Sequence, residues 1–170
     1  MLIQACFPLK SGTRFMPHDL NIVLVEPEIP MNTGTIGRLC LATGATLHLV
    51  EPFGFEINDS KLKRAGLDYW QFVKVKTYPN LDKFFEKILP DTPKVFFSTK
   101  GKRNLFDHSF QKNSYLFFGS ETRGLPKRLI QANEALTYRI PQYDHRVRSI
   151  NIANAVGIAM YEAIRQLGYK

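Results

Sequence analysis

Tyr115-Leu116-Phe117-Phe118 runs straight into Gly119-Ser120-Glu121-Thr122-Arg123-Gly124-Leu125-Pro126. Four consecutive apolar residues ended by a glycine-containing polar turn read as a short strand buried on both faces, the kind found in parallel sheets covered by helices. Two glycines around a carboxylate then make a loop whose backbone amides can wrap a small ligand, and Glu121 favours a cationic one. An ordinary strand-to-helix turn with Pro126 in the first helical turn accounts for the proline and some of the glycine. It leaves Glu121-Thr122-Arg123 unexplained.

Working outward, Lys94–Ser98 is a second buried strand, ending in Thr99-Lys100-Gly101. Leu20–Glu26 is the first strand; Pro27 and Pro30 break it, Asn32-Thr33-Gly34 turns, and a helix runs from Thr35 to Thr43 with Gly44 as its stop. Thr46–Val50 and Gln71–Val75 are further strands, Lys61, Lys63 and Arg64 lie in a short helical segment, and Leu81–Leu89 is a helix with Phe84, Phe85 and Ile88 on one face. Ser149–Leu167 is the clearest helix, with a wide apolar stripe of Ile152, Val156, Ala159, Met160, Ala163, Ile164 and Leu167. The alternation predicts an α/β fold, a mostly parallel sheet flanked by helices, with ligands at the strand C-terminal ends.

Composition narrows the function. The 170 residues are 44% hydrophobic, enough for one core, and 23 Lys and Arg against 15 Asp and Glu give a net charge of +8. That excess favours a polyanionic partner, nucleic acid ahead of acidic membrane surfaces. No apolar run approaches the roughly 20 residues of a spanning helix. Cys6 and Cys40 are far apart and have no CxxC partner, so neither a disulfide framework nor a zinc knuckle is expected, and the cytoplasm is the natural compartment. His18, His48, His108 and His145 show no metal-ligand spacing, and His48 sits in an apolar strand where a structural role is expected; no metal is predicted. Residues 1–19 read as a leader outside the domain spanning 20–170, with Met16 a candidate start.

No GxGxxG follows the first strand and no GxxxxGK[ST] occurs, which disfavours a dinucleotide-binding dehydrogenase or a P-loop enzyme. Two further segments carry polar chemistry. In Pro27-Glu28-Ile29-Pro30-Met31-Asn32-Thr33-Gly34-Thr35-Ile36-Gly37-Arg38, Asn32 is a candidate helix cap, the glycines allow close backbone approach to a phosphate or sugar, and Arg38 lies about one turn in. In Arg139-Ile140-Pro141 and Arg146-Val147-Arg148-Ser149-Ile150-Asn151-Ile152-Ala153-Asn154-Ala155, Ser149 can cap the last helix while Asn151 and Asn154 project from one face of its first turn. A capped helix with a solvent-exposed arginine, and asparagines that merely start a helix, are the plainer readings of each.

In this order and spacing the three segments resemble motifs 1, 2 and 3 of the SPOUT methyltransferases, especially the small tRNA (cytidine/uridine-2′-O)-methyltransferases of the wobble nucleotide. The resemblance covers Leu20 to Tyr169, including Lys61-Leu62-Lys63-Arg64-Ala65-Gly66-Leu67-Asp68-Tyr69. It implies a deep C-terminal trefoil knot built from the segments around Phe97–Gly101, Gly119–Leu125 and Ile140–Asn151. It also implies a bent S-adenosylmethionine held by Phe97, Thr99, Gly119, Glu121, Leu125, Ile140, Ser149 and Ile150, with S-adenosylhomocysteine as product. Arg38, Asn32, Glu121 and Asn151 become the catalytic set: Arg38 acts on the ribose 2′-hydroxyl, Asn151 orients the ribose, and Glu121 orients the cofactor and its loop. A homodimer is implied, with Tyr161 packing near the interface. Thr35 stands where motif 1 commonly has asparagine, and the loop Gln142–Val147 varies in length and composition, which bears on target choice. Lys61, Lys63, Arg64, Lys100, Lys102, Arg103, Arg146 and Arg148 are candidate phosphate contacts on tRNA. The rival readings are ribosomal RNA as substrate and a non-catalytic RNA-binding knot protein.

Overall fold

Along Asn21–Val25 (β1), Ile22 and Leu24 fall in one apolar cluster while Val23 and Val25 fall in another, so the strand is covered on both faces. Tyr115–Phe118 (β6) repeats the pattern, with Leu116 and Phe118 on the first side and Phe117 on the second, as does Lys94–Phe97 (β4), with Val95 and Phe97 against Phe96. The computed structural model describes residues 19–55, 69–144 and 146–168. The leader reading, the helical segment at Lys61, Lys63 and Arg64, and His145 lie outside the described residues.

The other strands are Thr46–Val50 (β2), Val75–Tyr78 (β3), Arg103–Asn104 (β5) and Thr137–Arg139 (β7). All pairings are parallel, in the order β3-β2-β1-β6-β4-β7-β5. From β1 the chain steps outward through β2 to β3, then crosses to the other side for β4. The switch point therefore lies between β1 and β6, where the C-terminal ends of parallel strands open a crevice. The helices are Pro30–Thr43 (α1), Leu81–Phe85 (α2), Lys127–Ala132 (α3) and Ile152–Gly168 (α4). α4 buries Ala153, Val156, Ala159, Met160, Ala163 and Ile164 and packs with α1 over the first cluster. The second cluster is richer in aromatic rings: Phe84 meets Phe117 edge-on at 5.5 Å, and Phe96 stacks on Phe117 at 4.5 Å.

Four boundaries depart from expectation. α1 begins at Pro30, five residues before Thr35, because a proline at the first helical position gives up only an N–H that has no partner inside the helix. Gly44 does end it, in the left-handed conformation at φ 80°. The third strand is Val75–Tyr78 instead of Gln71–Val75; Trp70–Phe72 is a 3-10 turn, and pairing with Leu47–Val50 sets the strand one turn later. α2 stops at Phe85, short of Leu89, with Pro90 directly beyond. The last helix starts at Ile152 instead of Ser149. Asn151 is its cap: its Oδ1 accepts from Ala153 N at 2.8 Å and its carbonyl from Ala155 N at 2.9 Å. β5 and β7, two and three residues long, carry too little pattern to read from sequence.

Candidate active site at the strand C-terminal ends

The loops after β1 and β6 meet at the switch point and exchange carboxylates. Glu121, three residues past β6, accepts from Glu28 N at 2.8 Å, Ile29 N at 3.2 Å and Asn32 Nδ2 at 2.9 Å. Ile29 is the N-cap of α1 and makes no side-chain cap bond; Glu121 takes the two backbone N–H groups just ahead of the helix and the Asn32 side chain, which sets its charge beside the positive end of the helix. In return Glu28 accepts from Thr122 N at 3.1 Å and from Thr122 Oγ1 at 2.7 Å to one of its oxygens. Arg123 bridges Glu26 at 3.2 Å and Glu28 at 3.4 Å. The Thr122 hydroxyl holds the Glu28 carboxyl below the usual carboxylate range; burial is the next largest effect and opposes it, while the Thr122 N–H and the Arg123 charge add to the lowering.

A third segment joins them. Asn151 Nδ2 donates to Asn32 Oδ1 at 3.0 Å, so Asn151, Asn32 and Glu121 form one hydrogen-bonded chain across 119 and 89 residues of sequence. Asn32 is thus a link within the first turn of α1 and not its cap, a consequence of the earlier helix start. Asn154 Nδ2 makes no part of the chain, and Asn151 lies before the helix, so the two asparagines do not share its first turn.

Close backbone packing defines the loop after β6. A Cβ on Gly119 would overlap the Gly124 carbonyl and Leu125 N, and Gly124 sits at φ 69° with its N–H on Ser120 O at 2.9 Å. Only glycine fits at 119, and position 124 strongly favours it. Phe97 at the end of β4 stacks on Phe118 at 4.8 Å, and Ser98 N donates to Tyr138 O at 3.0 Å, tying the loop after β4 to β7. Phe97 therefore ends β4, and Thr99, Gly119 and Ile140 follow the C-terminal ends of three adjacent parallel strands, β4, β6 and β7. Leu125 is buried in the aromatic cluster, while Ser149 is exposed and Ile150 half-buried just before α4.

Arg38 stands apart from this chain. With α1 starting at Pro30 it lies more than two turns in, on the order of 12 Å along the axis, and not one turn as expected. Its guanidinium sits over the Tyr69 ring at 4.4 Å, on the rim of a groove between α1 and α4 lined by Thr35, Leu39, Ile150, Asn154 and Gly157. Tyr161 on α4 is half exposed. Arg103 packs over Tyr138, Lys102 pairs with Glu134, and Arg146 pairs with Asp144, while Lys100 and Arg148 are exposed. Glu28 and Tyr69 went unassigned in the sequence, because their partners lie 94 and 31 to 35 residues away. Among the described residues no group of three or more His, Cys, Asp or Glu is placed to hold a metal, and no helix is long and apolar enough to cross a membrane.

Seven parallel strands among the described residues, with a glycine-packed loop after β6 meeting the loop after β1 at the switch point, form the architecture of the SPOUT methyltransferases that the sequence resembles. The chain belongs to the SpoU rRNA methylase family, whose model matches residues 19–161. A relative from Aeromonas hydrophila, named tRNA (cytidine(34)-2′-O)-methyltransferase, is 48% identical over 155 residues, 88% of this chain and 96% of its own. A solved structure described as giving structural insights into the 2-OH methylation of C/U34 on tRNA is 46% identical, with TM-score 0.82, covering 89% of this chain and 98% of that one. The SpoU methyltransferase AviRb from Streptomyces viridochromogenes, in complex with the cofactor AdoMet, is 25% identical with TM-score 0.76, covering 92% and 62%.

Proposed function

We propose that this chain is a tRNA 2′-O-ribose methyltransferase that uses S-adenosylmethionine to modify cytidine or uridine at position 34. The observation that carries the reading is the Asn151–Asn32–Glu121 chain, which joins three segments far apart in sequence into one polar site beside the glycine-packed loop. The relatives named for that reaction, similar over most of their own length, supply the substrate class.

The residues present fit the cofactor. Gly119 and Gly124 keep side chains out of the loop after β6, and Gln142 Nε2, three residues beyond β7, is buried without a partner among the described residues, a donor awaiting an acceptor. Phe97, Thr99, Gly119, Leu125, Ile140, Ser149 and Ile150 would hold it, with Glu121 fixing the loop through α1. When bound, S-adenosylmethionine supplies an electrophilic methyl on a sulfonium and leaves as S-adenosylhomocysteine. Asn151, exposed and already oriented by Asn32, would position the ribose. Arg38 would hold the 2′-oxygen or a flanking phosphate and offset the charge that develops as the hydroxyl proton leaves. A guanidinium is a poor base, so Arg38 would act by charge and alignment, and an RNA phosphate would take the proton.

A trefoil knot belongs to the same proposal. It is supported by the close passage of Gly101 against the Tyr138–Arg139 backbone, where an added Cβ would lie 2.7 Å from Tyr138 C, and by the crossing order β6-β4-β7-β5. So does a homodimer, supported by the α1–α4 groove and by the exposed Leu41, Ile158 and Tyr161 on those two helices, and so does a cytoplasmic location, in keeping with relatives named for tRNA methylation. The test is incubation with methyl-labelled S-adenosylmethionine and unmodified total tRNA, then nucleotide mapping by mass spectrometry. A 2′-O-methyl mark at position 34 is expected. Label on ribosomal RNA alone would move the reading to the substrate in the family's description, and cofactor-free RNA binding would leave a non-catalytic protein.

A further inference from the structure

We propose that Tyr69 is a positioning residue for the reaction: its ring is a seat that aligns Arg38 while leaving the guanidinium's hydrogen-bond donors open to RNA. The inference rests on the assignment of Arg38 to the reaction given above. Arg38 is exposed on α1, where an arginine ordinarily samples many rotamers. Here its Cζ lies 4.4 Å from the Tyr69 ring centroid. The ring is itself anchored, because Tyr69 Oη donates to Gly34 O at 2.9 Å, one turn before Arg38 on the same helix.

The turn that carries Tyr69 is fixed to α1 by its neighbour. A Cβ on Gly37 would lie 2.5 Å from Trp70 Cζ3, so the indole lies against the helix backbone only because residue 37 is glycine. Phe72 N and Val73 N close the turn onto Tyr69 O at 2.9 Å and Trp70 O at 3.0 Å. Gly34, Gly37 and Arg38 thus receive Tyr69 and Trp70 as one unit. Both rings are partly buried against the first cluster, and the unit gives each a second contact on α1.

The chemistry of the seat matters. A carboxylate would accept from the guanidinium edge, occupy its fork and lower its net charge toward RNA. An aromatic face takes only the flat side of the cation and leaves the N–H donors and the full charge available. The ion pairs among the described residues leave Arg38 out, and the same α1 face opens to Ile150 and Asn154 beside the asparagine chain. Misplacing a reacting group by about 1 Å can cost up to about a hundredfold in rate, so a seat of this kind acts on turnover.

The test uses the full chain with S-adenosylmethionine and tRNA, comparing Tyr69→Phe, Tyr69→Leu, and residue 69 replaced by phenylalanines of increasing ring fluorination, which keep the shape and deplete the negative ring face. Turnover should fall about tenfold for Tyr69→Leu. Along the fluorinated series kcat should fall in step with ring charge while KM for the cofactor stays within twofold. In an Arg38→Lys background the fluorine dependence should shrink or change slope. A series flat in kcat, with wild-type activity intact, overturns the inference and leaves the proposed function standing. A wild-type protein that methylates no RNA ribose removes the function first, before residue 69 is at issue. If Tyr69→Leu fails to fold, the fluorinated series alone decides.

Discussion

Two polar networks sit on this sheet, one buried and one partly exposed, and they differ in how they end. On the β2–β3 side, His48 is 1% exposed, and both ring nitrogens are taken, Nδ1 by Tyr78 Oη and Nε2 by Asn21 Oδ1, each at 2.9 Å. Tyr78, Phe84 and Tyr115 surround the ring. That network closes on itself. The Glu121 network starts equally well satisfied, then runs through Asn32 to the exposed Asn151; Arg38, farther along α1, and Gln142, with its unmet donor, are likewise left with groups to offer. A closed network specifies packing; an open one presents groups to a ligand.

The largest way to break this contrast is at the open end. Arg38→Ala should lower kcat by about a hundredfold or more with its fold unchanged, the scale expected when a group that assists proton loss or charge development is removed. Retained turnover at wild-type rate, measured under single-turnover conditions, would remove Arg38 from the mechanism. Glu121→Gln comes next. It keeps the shape but exchanges a carboxylate on three donors and a helix N-terminus for a neutral amide, one of whose ends cannot accept. A loss of about tenfold or more in turnover is expected together with about 1–3 kcal/mol of stability, read by denaturant unfolding. Loss of cofactor binding with stability untouched would instead make Glu121 a direct ligand contact.

The same contrast explains what could be read in advance. Strands β1, β2, β4 and β6 were legible because each is four or five residues long and covered on both faces, and so shows a run of apolar residues. β3 was misplaced because β propensity favoured Gln71–Val75, whereas the pairing partner Leu47–Val50 and the reach from Tyr78 to His48 decide the register. At the site, Glu121 and Asn32 stood out as polar residues in glycine-containing segments and Asn151 as an asparagine beside paired arginines at a helix start, but their mutual bonds did not. A chain such as Asn151–Asn32–Glu121 depends on a fold that brings residues 89 and 119 apart into contact. Glu28 and Tyr69 were quoted without a role for the same reason. Proline misled at α1, where Pro30 begins the helix it was expected to precede.

The closed network has its own signature in pH. Burial, with Lys76 nearby adding to it, pushes His48 down to about 4 from an ordinary value of 6.5. Between those values the unfolded chain binds a proton that folded His48 refuses, so stability falls as pH drops from about 6.5 toward 4. The full effect is up to about 3 kcal/mol, complete below the folded value. His48→Gln should remove close to one proton from the pH slope of unfolding while leaving turnover at neutral pH within about twofold. An unchanged slope would mean that the acid sensitivity arises elsewhere; a large loss of turnover would mean that the closed network reaches the site after all.

Gln142→Met gives the smallest and most discriminating effect, because the contrast predicts two opposite signs for one substitution. If Nε2 is left unmet in the ligand-free protein, replacing the amide by a thioether of similar length removes the desolvation cost of a buried donor, and the thermal midpoint without ligand should rise by about 2 °C. If that donor meets an acceptor on the adenosine part of the cofactor, S-adenosylhomocysteine should bind about fivefold more weakly to the variant by calorimetry. A closed network cannot behave this way: removing a partnered amide lowers stability whether or not ligand is present. A drop in both quantities would therefore class Gln142 with His48, as packing, and a rise in stability with unchanged affinity would assign its donor to water and leave the adenosine to the backbone groups of the loops.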